Sequence, residues 1–135
     1  MKKMLLVLMV LTSMKIYSQN ILNTSGNVIY TVDSVTGEIK NINFDVVGTI
    51  SETGIIYNEL QTPIAYFSEN NELITNQGDS LGKLNEDGSV QFKNGAQIGY
   101  IQNDGIVLGS NQNTIGNGND VAKRFLMYLF FFYPL

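Results

Sequence analysis

Carboxylates carry most of the reactive chemistry open to this chain. Twelve Asp and Glu stand against eight Lys and Arg, and there is no Cys, no His and no Trp. Without imidazole or thiol nothing is at hand to activate a serine, to serve as a thiolate nucleophile, or to build the usual zinc site. Glu52, Glu69 and Glu86 recur at a spacing of 17 residues. A ring of such carboxylates would suit calcium, which prefers oxygen ligands. Their surroundings match neither the EF-hand loop nor the glycine-rich calcium repeat, so solvated turn residues are the expectation. Glu86-Asp87, Glu69 with Glu72, and Asp104 are the remaining acidic pairs and singles. Glycoside hydrolysis by two carboxylates needs a deep cleft, which a small repeat domain is not expected to form. Tyr57, Tyr66, Phe67, Phe92 and Tyr100 could stack on a sugar, and Tyr66 and Tyr100 share one repeat position. Ordinary cross-strand packing is the simpler reading. No catalytic, cofactor-binding or metal-binding residue is assigned, and the chain is expected to be neither an enzyme nor a cofactor carrier.

The elements that carry these residues come from an internal repeat. An apolar residue followed by a small one occurs at Val47-Gly48, Ile64-Ala65, Leu81-Gly82, Ile98-Gly99 and Ile115-Gly116, each 17 residues after the last. Three further columns keep step: Asp33, Ile50, Phe67, Leu84 and Ile101; Gly37, Gly54, Asn71, Gly88 and Gly105; Ile39, Ile56, Leu73, Val90 and Val107. Five units fill 30 to 114, and Ile115-Gly116 opens a sixth. The pattern of apolar, small, apolar, polar turn, Gly, apolar describes a β-hairpin. Asp-Gly at Asp87-Gly88 and Asp104-Gly105 supplies the positive φ that tight hairpin loops require. Period-2 alternation then predicts that Gly82, Leu84, Gly88, Val90 and Phe92 face inward, with Lys83, Ser89, Gln91 and Lys93 outward.

The fold class expected is all-β, with five tandem 17-residue hairpins over residues 19–119 in a closed or nearly closed pseudo-five-fold ring. A small residue inside a strand marks close backbone approach, so the small column is expected to line a narrow centre. Closure would remove exposed sheet edges. An open two-strand solenoid is the alternative, less favoured because no polar capping repeat is present. Gly26-Asn27-Val28-Ile29-Tyr30 resembles a second half-unit that would pair with the half-unit begun at Ile115 and shut the ring. Gly116-Asn117-Gly118-Asn119 is expected to be a flexible link, not a phosphate loop.

The two ends differ from the repeat. Lys2 and Lys3, the apolar run Met4–Leu11 and a polar stretch ending in Ser18 form the three-part pattern of a secretory signal peptide over residues 1–18, cleaved before Gln19. Loss of Lys2, Lys3 and Lys15 leaves 5 basic against 12 acidic residues, a net charge of −7. Nucleic acid is therefore not an expected partner. At the other end, residues 120–135 form a short tail whose Phe125–Leu135 stretch is apolar throughout, behind Lys123 and Arg124. As a helix this stretch reaches about 16 Å, about half a bilayer core. Three destinations stay open: plugging the open apolar end of the ring, lying in a membrane interface, or self-association.

Together these features are similar to the five-fold beta-flower family of small exported bacterial proteins. The residues carrying the likeness are Val47-Gly48-Thr49-Ile50, Leu81 to Val90, Ile98-Gly99-Tyr100-Ile101 with Gly105, and Phe130-Phe131-Phe132. The resemblance covers roughly 20 to 133 and departs from the regular pattern at Tyr30, Thr31, Asp33, Ala65 and Asn71. It implies a ring of β-hairpins and a place in the envelope of a Gram-negative bacterium or outside the cell. It implies no activity. The expected function is an exported, non-catalytic envelope or surface protein acting by binding or assembly, periplasmic, outer-membrane-associated or extracellular. The alternative is a membrane-peripheral module whose tail, Phe125–Leu135, meets envelope lipid or protein.

Overall fold

The structure, a computed structural model, describes residues 18–135. The signal peptide expected over residues 1–18 lies outside the described residues except for Ser18. Five contiguous hairpins follow the 17-residue repeat: β2 (Val28–Asp33) with β3 (Glu38–Asn41), β4 (Val46–Ile50) with β5 (Ile55–Asn58), β6 (Pro63–Phe67) with β7 (Glu72–Thr75), β8 (Ser80–Leu84) with β9 (Ser89–Phe92), and β10 (Gln97–Ile101) with β11 (Ile106–Gly109). A sixth hairpin is assembled from the two ends of the ring, β1 (Ser18–Leu22) and β12 (Thr114–Asn117). Each strand pairs antiparallel with its sequence neighbours, and β1 pairs with β12, so the twelve strands form a closed barrel. The tail follows as α1 (Lys123–Met127) and a π-helical turn, Tyr128–Phe132.

Ring closure by a split unit is observed, but its N-terminal half is Ser18–Leu22 and not Gly26–Tyr30. Asn23 to Asn27 form a turn, and Val28 onward is the first strand of the first hairpin. The half-unit was misplaced because Gly26 serves a turn of the second kind in this fold. Likewise Thr114–Asn117 is the closing strand, not a flexible link, and the Gly118 amide donates to Gly105 O at 2.9 Å.

Two sets of turns alternate. Turns within units lie at one mouth of the barrel and turns between units at the other, because strands run alternately up and down. Within-unit turns place Gly37, Gly54, Asn71, Gly88 and Gly105 at positive φ. Their carbonyls accept from the next hairpin, at Ile50, Phe67, Leu84, Ile101 and Gly118, over 2.8–3.0 Å. This backbone girdle ties each turn to the next. Asn71 is tolerated because its φ of 60° is ordinary left-handed backbone, whereas the glycines sit at 77–97°.

Pairing within each contiguous hairpin is regular, while every pairing across a between-unit turn carries a register shift. In five of these the residue passed over is Val47, Ile64, Leu81, Ile98 or Ile115. The most visible apolar column of the sequence is thus a column of β-bulges. A bulge bends the strand and increases its twist, which curls the sheet into a ring. It also explains why an apolar residue and a small one stand side by side: the bulge residue packs against the core while the next, Gly or Ala, is buried. At the two ends of β9, which itself carries no bulge, exposure departs from the expected alternation. Phe92 opens a between-unit turn and is 38% exposed, while Ser89 is buried, its hydroxyl donating to Asp87 Oδ1 at 2.7 Å.

Candidate functional site

About eight strands make a barrel whose own side chains fill it. Twelve enclose more, and the chain fills that lumen with its own end. The inner face supplies two girdles, Ile50, Phe67, Leu84 and Ile101 near the within-unit mouth and Ile39, Ile56, Leu73, Val90 and Val107 above them, all buried. Leu126, Met127, Tyr128 and Leu129 are buried in the same core. Beyond them the rings of Phe130, Phe131 and Phe132 stand where side chains at Gly116, Gly99 and Gly82 would be; a Cβ on Gly82 would fall 2.6 Å from Phe132 Cζ. Three successive tail residues therefore meet three successive units, stepping back around the ring. A helix turns its side chains through about 100° per residue. Inside a ring and along its axis, such a helix fans consecutive residues onto neighbouring hairpins. The i→i+5 bond from the Tyr133 amide to Tyr128 O, 2.7 Å, widens that last turn. Of the three destinations open in the sequence, the structure places the tail in the barrel, and three of the five small positions, Gly82, Gly99 and Gly116, clear space for it.

The basic pair before the tail is held by within-unit turns. Arg124 Nε donates to Asn71 Oδ1 at 2.7 Å, and its guanidinium lies 5.3 Å from the centre of the Phe67 ring. Lys123 Nζ donates to Asn103 Oδ1 at 2.8 Å. Asn71, a departure from the glycine column, is thus the residue that docks the tail. Phe67 belongs to the core at 3% exposure and not to a surface platform. Its side chain shares the inward parity of Ile50 and Leu84, which the aromatic grouping had overlooked.

At the far mouth Tyr133 packs edge-on against Tyr128 and Tyr30, with centroids 5.7 and 6.1 Å apart. Burial first, then the neighbouring Tyr133, Glu59 and Tyr30, push the Tyr128 phenol up to about 12. The native state holds that proton more tightly than the unfolded chain, whose tyrosines titrate near 10. Stability present below pH 10 is therefore expected to fall as pH rises toward 12. Denaturation midpoints across that range should show the fall in the native protein and much less of it in Tyr128→Phe.

The carboxylates gather at the within-unit mouth. Asp33, Glu38, Glu52, Glu69, Glu72, Glu86, Asp87, Asp104 and Asp120 lie at that end, against Asp45, Glu59 and Asp79 at the other. Their observed work is local. Asp33 Oδ1 accepts from the amides of Val35 and Thr36 at 2.8 and 3.1 Å, and those amides hold its carboxyl below the usual range. The Ser89 hydroxyl, then its amide, do the same for Asp87. Glu69 and Glu86 face one shallow groove with Lys83 between them. Among the described residues no three carboxylates come close enough to hold a metal ion. Tyr66 and Tyr100 lie on β6 and β10, four strands apart, so about 19 Å of sheet separates them. Lys83 holds the same column between them. They form no continuous platform.

A cleft of about 500 Å³ lies at the seam, lined by Ser18, Gln19, Asn20, Ser34, Asn117 and Asp120 among others. It opens because β1 meets β12 at a single register position, Leu22 with Asn117, helped by a bond from Gln19 Nε2 to Asp120 O. Its walls are amides, hydroxyls, one carboxylate and the Leu22 side chain. A family model described as 5-fold beta-flower protein matches residues 18–134, from the first residue of β1 through the lumen-filling tail. No curated protein and no solved structure matches the chain.

Proposed function

The chain belongs to the 5-fold beta-flower family, and from that premise we propose that it is an exported, non-catalytic envelope or surface protein acting by binding or assembly. The observation that carries this reading is the filled lumen. A twelve-strand barrel offers its interior as the natural ligand site, and here Leu126 to Leu129 are buried in it. Binding is left to the repeated turns at the two mouths. Export is supported by the Lys2-Lys3 start and the apolar run that follows. Cleavage after Ser18 would remove all of that segment and only one residue of β1.

Production of the chain with residues 1–18 in place in a Gram-negative host tests this reading. Intact mass should show loss of residues 1–18, and fractionation should place the product beyond the inner membrane. A product that keeps Met1 and stays in the cytoplasm would overturn it. The alternative, a membrane-peripheral module, gains little from the tail, whose Leu126 to Leu129 are buried in the lumen. It is favoured by a different surface.

A further inference from the structure

The between-unit mouth is the apolar pole of the molecule. Ile42 and Phe44 stand in the Asn41–Asp45 turn and Leu60 in the neighbouring Asn58–Thr62 turn, 67%, 77% and 78% exposed. Leu135 emerges at the same mouth, since Tyr133 packs on Tyr30, whose strand partner Asn41 opens the first of these turns. Phe44 sits at φ 65°, a position filled by Gly26, Gly78 and Gly95 in other between-unit turns. A bulky residue at positive φ is a strained choice. At 77% exposure the ring gains no packing in return.

From this pole we infer that the protein docks on the headgroup–acyl boundary of a lipid bilayer, with Ile42, Phe44 and Leu60 entering the interface. The inference rests on the reading of an exported binding protein and names its partner. Two features favour lipid. The first is how the turns satisfy their own backbone. Asn41 Oδ1 accepts from the amides of Asn43 and Asp45 at 2.9 and 3.1 Å, and Asn58 Oδ1 from those of Leu60 and Thr62 at 2.9 and 3.0 Å. The Phe44 and Gln61 amides donate to Asn41 O and Asn58 O, each at 3.0 Å. Backbone donors with partners inside their own turn can leave water at little cost, which a lipid interface demands. The second is charge. Nine of the twelve carboxylates stand at the opposite mouth and three, Asp45, Glu59 and Asp79, at this one, where Lys93 offsets part of their charge, its Nζ 5.8 Å from the Phe92 ring centre. This pole is thus the less negative of the two, and an anionic lipid surface repels the within-unit pole more strongly and turns this one toward it.

Flotation of the folded protein with phosphatidylcholine vesicles, with and without phosphatidylglycerol, tests the inference independently of export. The protein should float, and Ile42→Asn/Phe44→Gly/Leu60→Asn should float at least tenfold less at an unchanged melting temperature. Phe44→Gly alone should be at least as heat-stable as the parent, since glycine relieves the backbone; a packing role would lower its melting temperature. Val35→Asn at the other mouth should float like the parent. A parent protein that stays at the bottom of the gradient, or a triple variant that floats as well, would overturn the inference. So would variants that abolish a dimer while leaving flotation intact, which would make the surface one between copies. If flotation fails while the protein is still processed and exported, lipid is the wrong partner and the broader reading stands.

Discussion

A chain ending at Asn119 should not fold to a cooperative native state. It would lack Val121, Leu126, Met127, Tyr128 and Leu129, all buried in the full protein. Burial of each large apolar side chain contributes about 1.5–3 kcal/mol. Five of them amount to about 8–15 kcal/mol, as much as the whole stability of an ordinary domain, about 5–15 kcal/mol. The twelve strands would be left around a space their own side chains cannot fill. The truncated chain is expected to keep strand content by far-ultraviolet circular dichroism, lose its near-ultraviolet signal and bind a hydrophobic dye, as packing-deficient states do. A sharp thermal transition within a few degrees of the full protein's would show that the tail is an appendage and not part of the core.

Gly88→Ala is expected to cost about 2–5 kcal/mol, and Gly78→Ala about 1–2 kcal/mol, although both positions have strongly positive φ. Gly78, at 90°, has no atom within 4 Å of an added Cβ, so only backbone strain is felt there. Gly88, at 97°, would drive its Cβ into Ile101 O, and its own carbonyl accepts the Ile101 amide at 2.8 Å. Relief of the clash must stretch the girdle between the fourth and fifth units. For a chain of this size 1 kcal/mol moves the melting temperature by about 4 °C or more, so the two variants should be cleanly separated in thermal unfolding. Equal losses would mean that the girdle glycines serve turn geometry alone.

Much of the barrel was legible because its constraints are local and repeat. The Gly37–Gly105 column reports a backbone state that few other residues adopt, and Ile39 to Val107 report one wall of the core. The between-unit turns were only half marked, because Gly26, Gly78 and Gly95 signal three of them while Phe44, Gln61 and Gln112 take the same positive φ without a glycine, so the column shows no period. Missing those turns hid the bulges, and it also hid that Phe92 stands at a mouth, where inward parity does not mean burial. The small column was visible but its cause was not. Gly82, Gly99 and Gly116 were read as close backbone approach, and a Cβ there does meet a neighbouring strand's carbonyl, at Gln91, Leu108 or Leu22; what the sequence hid is that the missing side chains also make room for Phe132, Phe131 and Phe130. No property of one column announces its partner more than a dozen residues away. Asn71 was likewise a blemish in the pattern until Arg124 was seen bonded to it. The surface chemistry was the least legible part, since exposure of Ile42, Phe44 and Leu60 follows only from knowing which turns project.

The central claim is that the tail threads the barrel with Phe131 seated on Gly99. A double-mutant cycle of Gly99→Ala and Phe131→Ala tests it most directly. An added Cβ at Gly99 overlaps Phe131 Cζ and Cε1 and lies 2.7 Å from Leu108 O. Gly99→Ala should therefore destabilise the native protein by about 1–3 kcal/mol. In the Phe131→Ala background the ring is gone and only the Leu108 contact remains, so the cost should shrink by at least about 1 kcal/mol. Costs that add to within about 0.5 kcal/mol, as for independent sites, would mean that Phe131 does not sit on Gly99 and that the tail does not fill the barrel in this register.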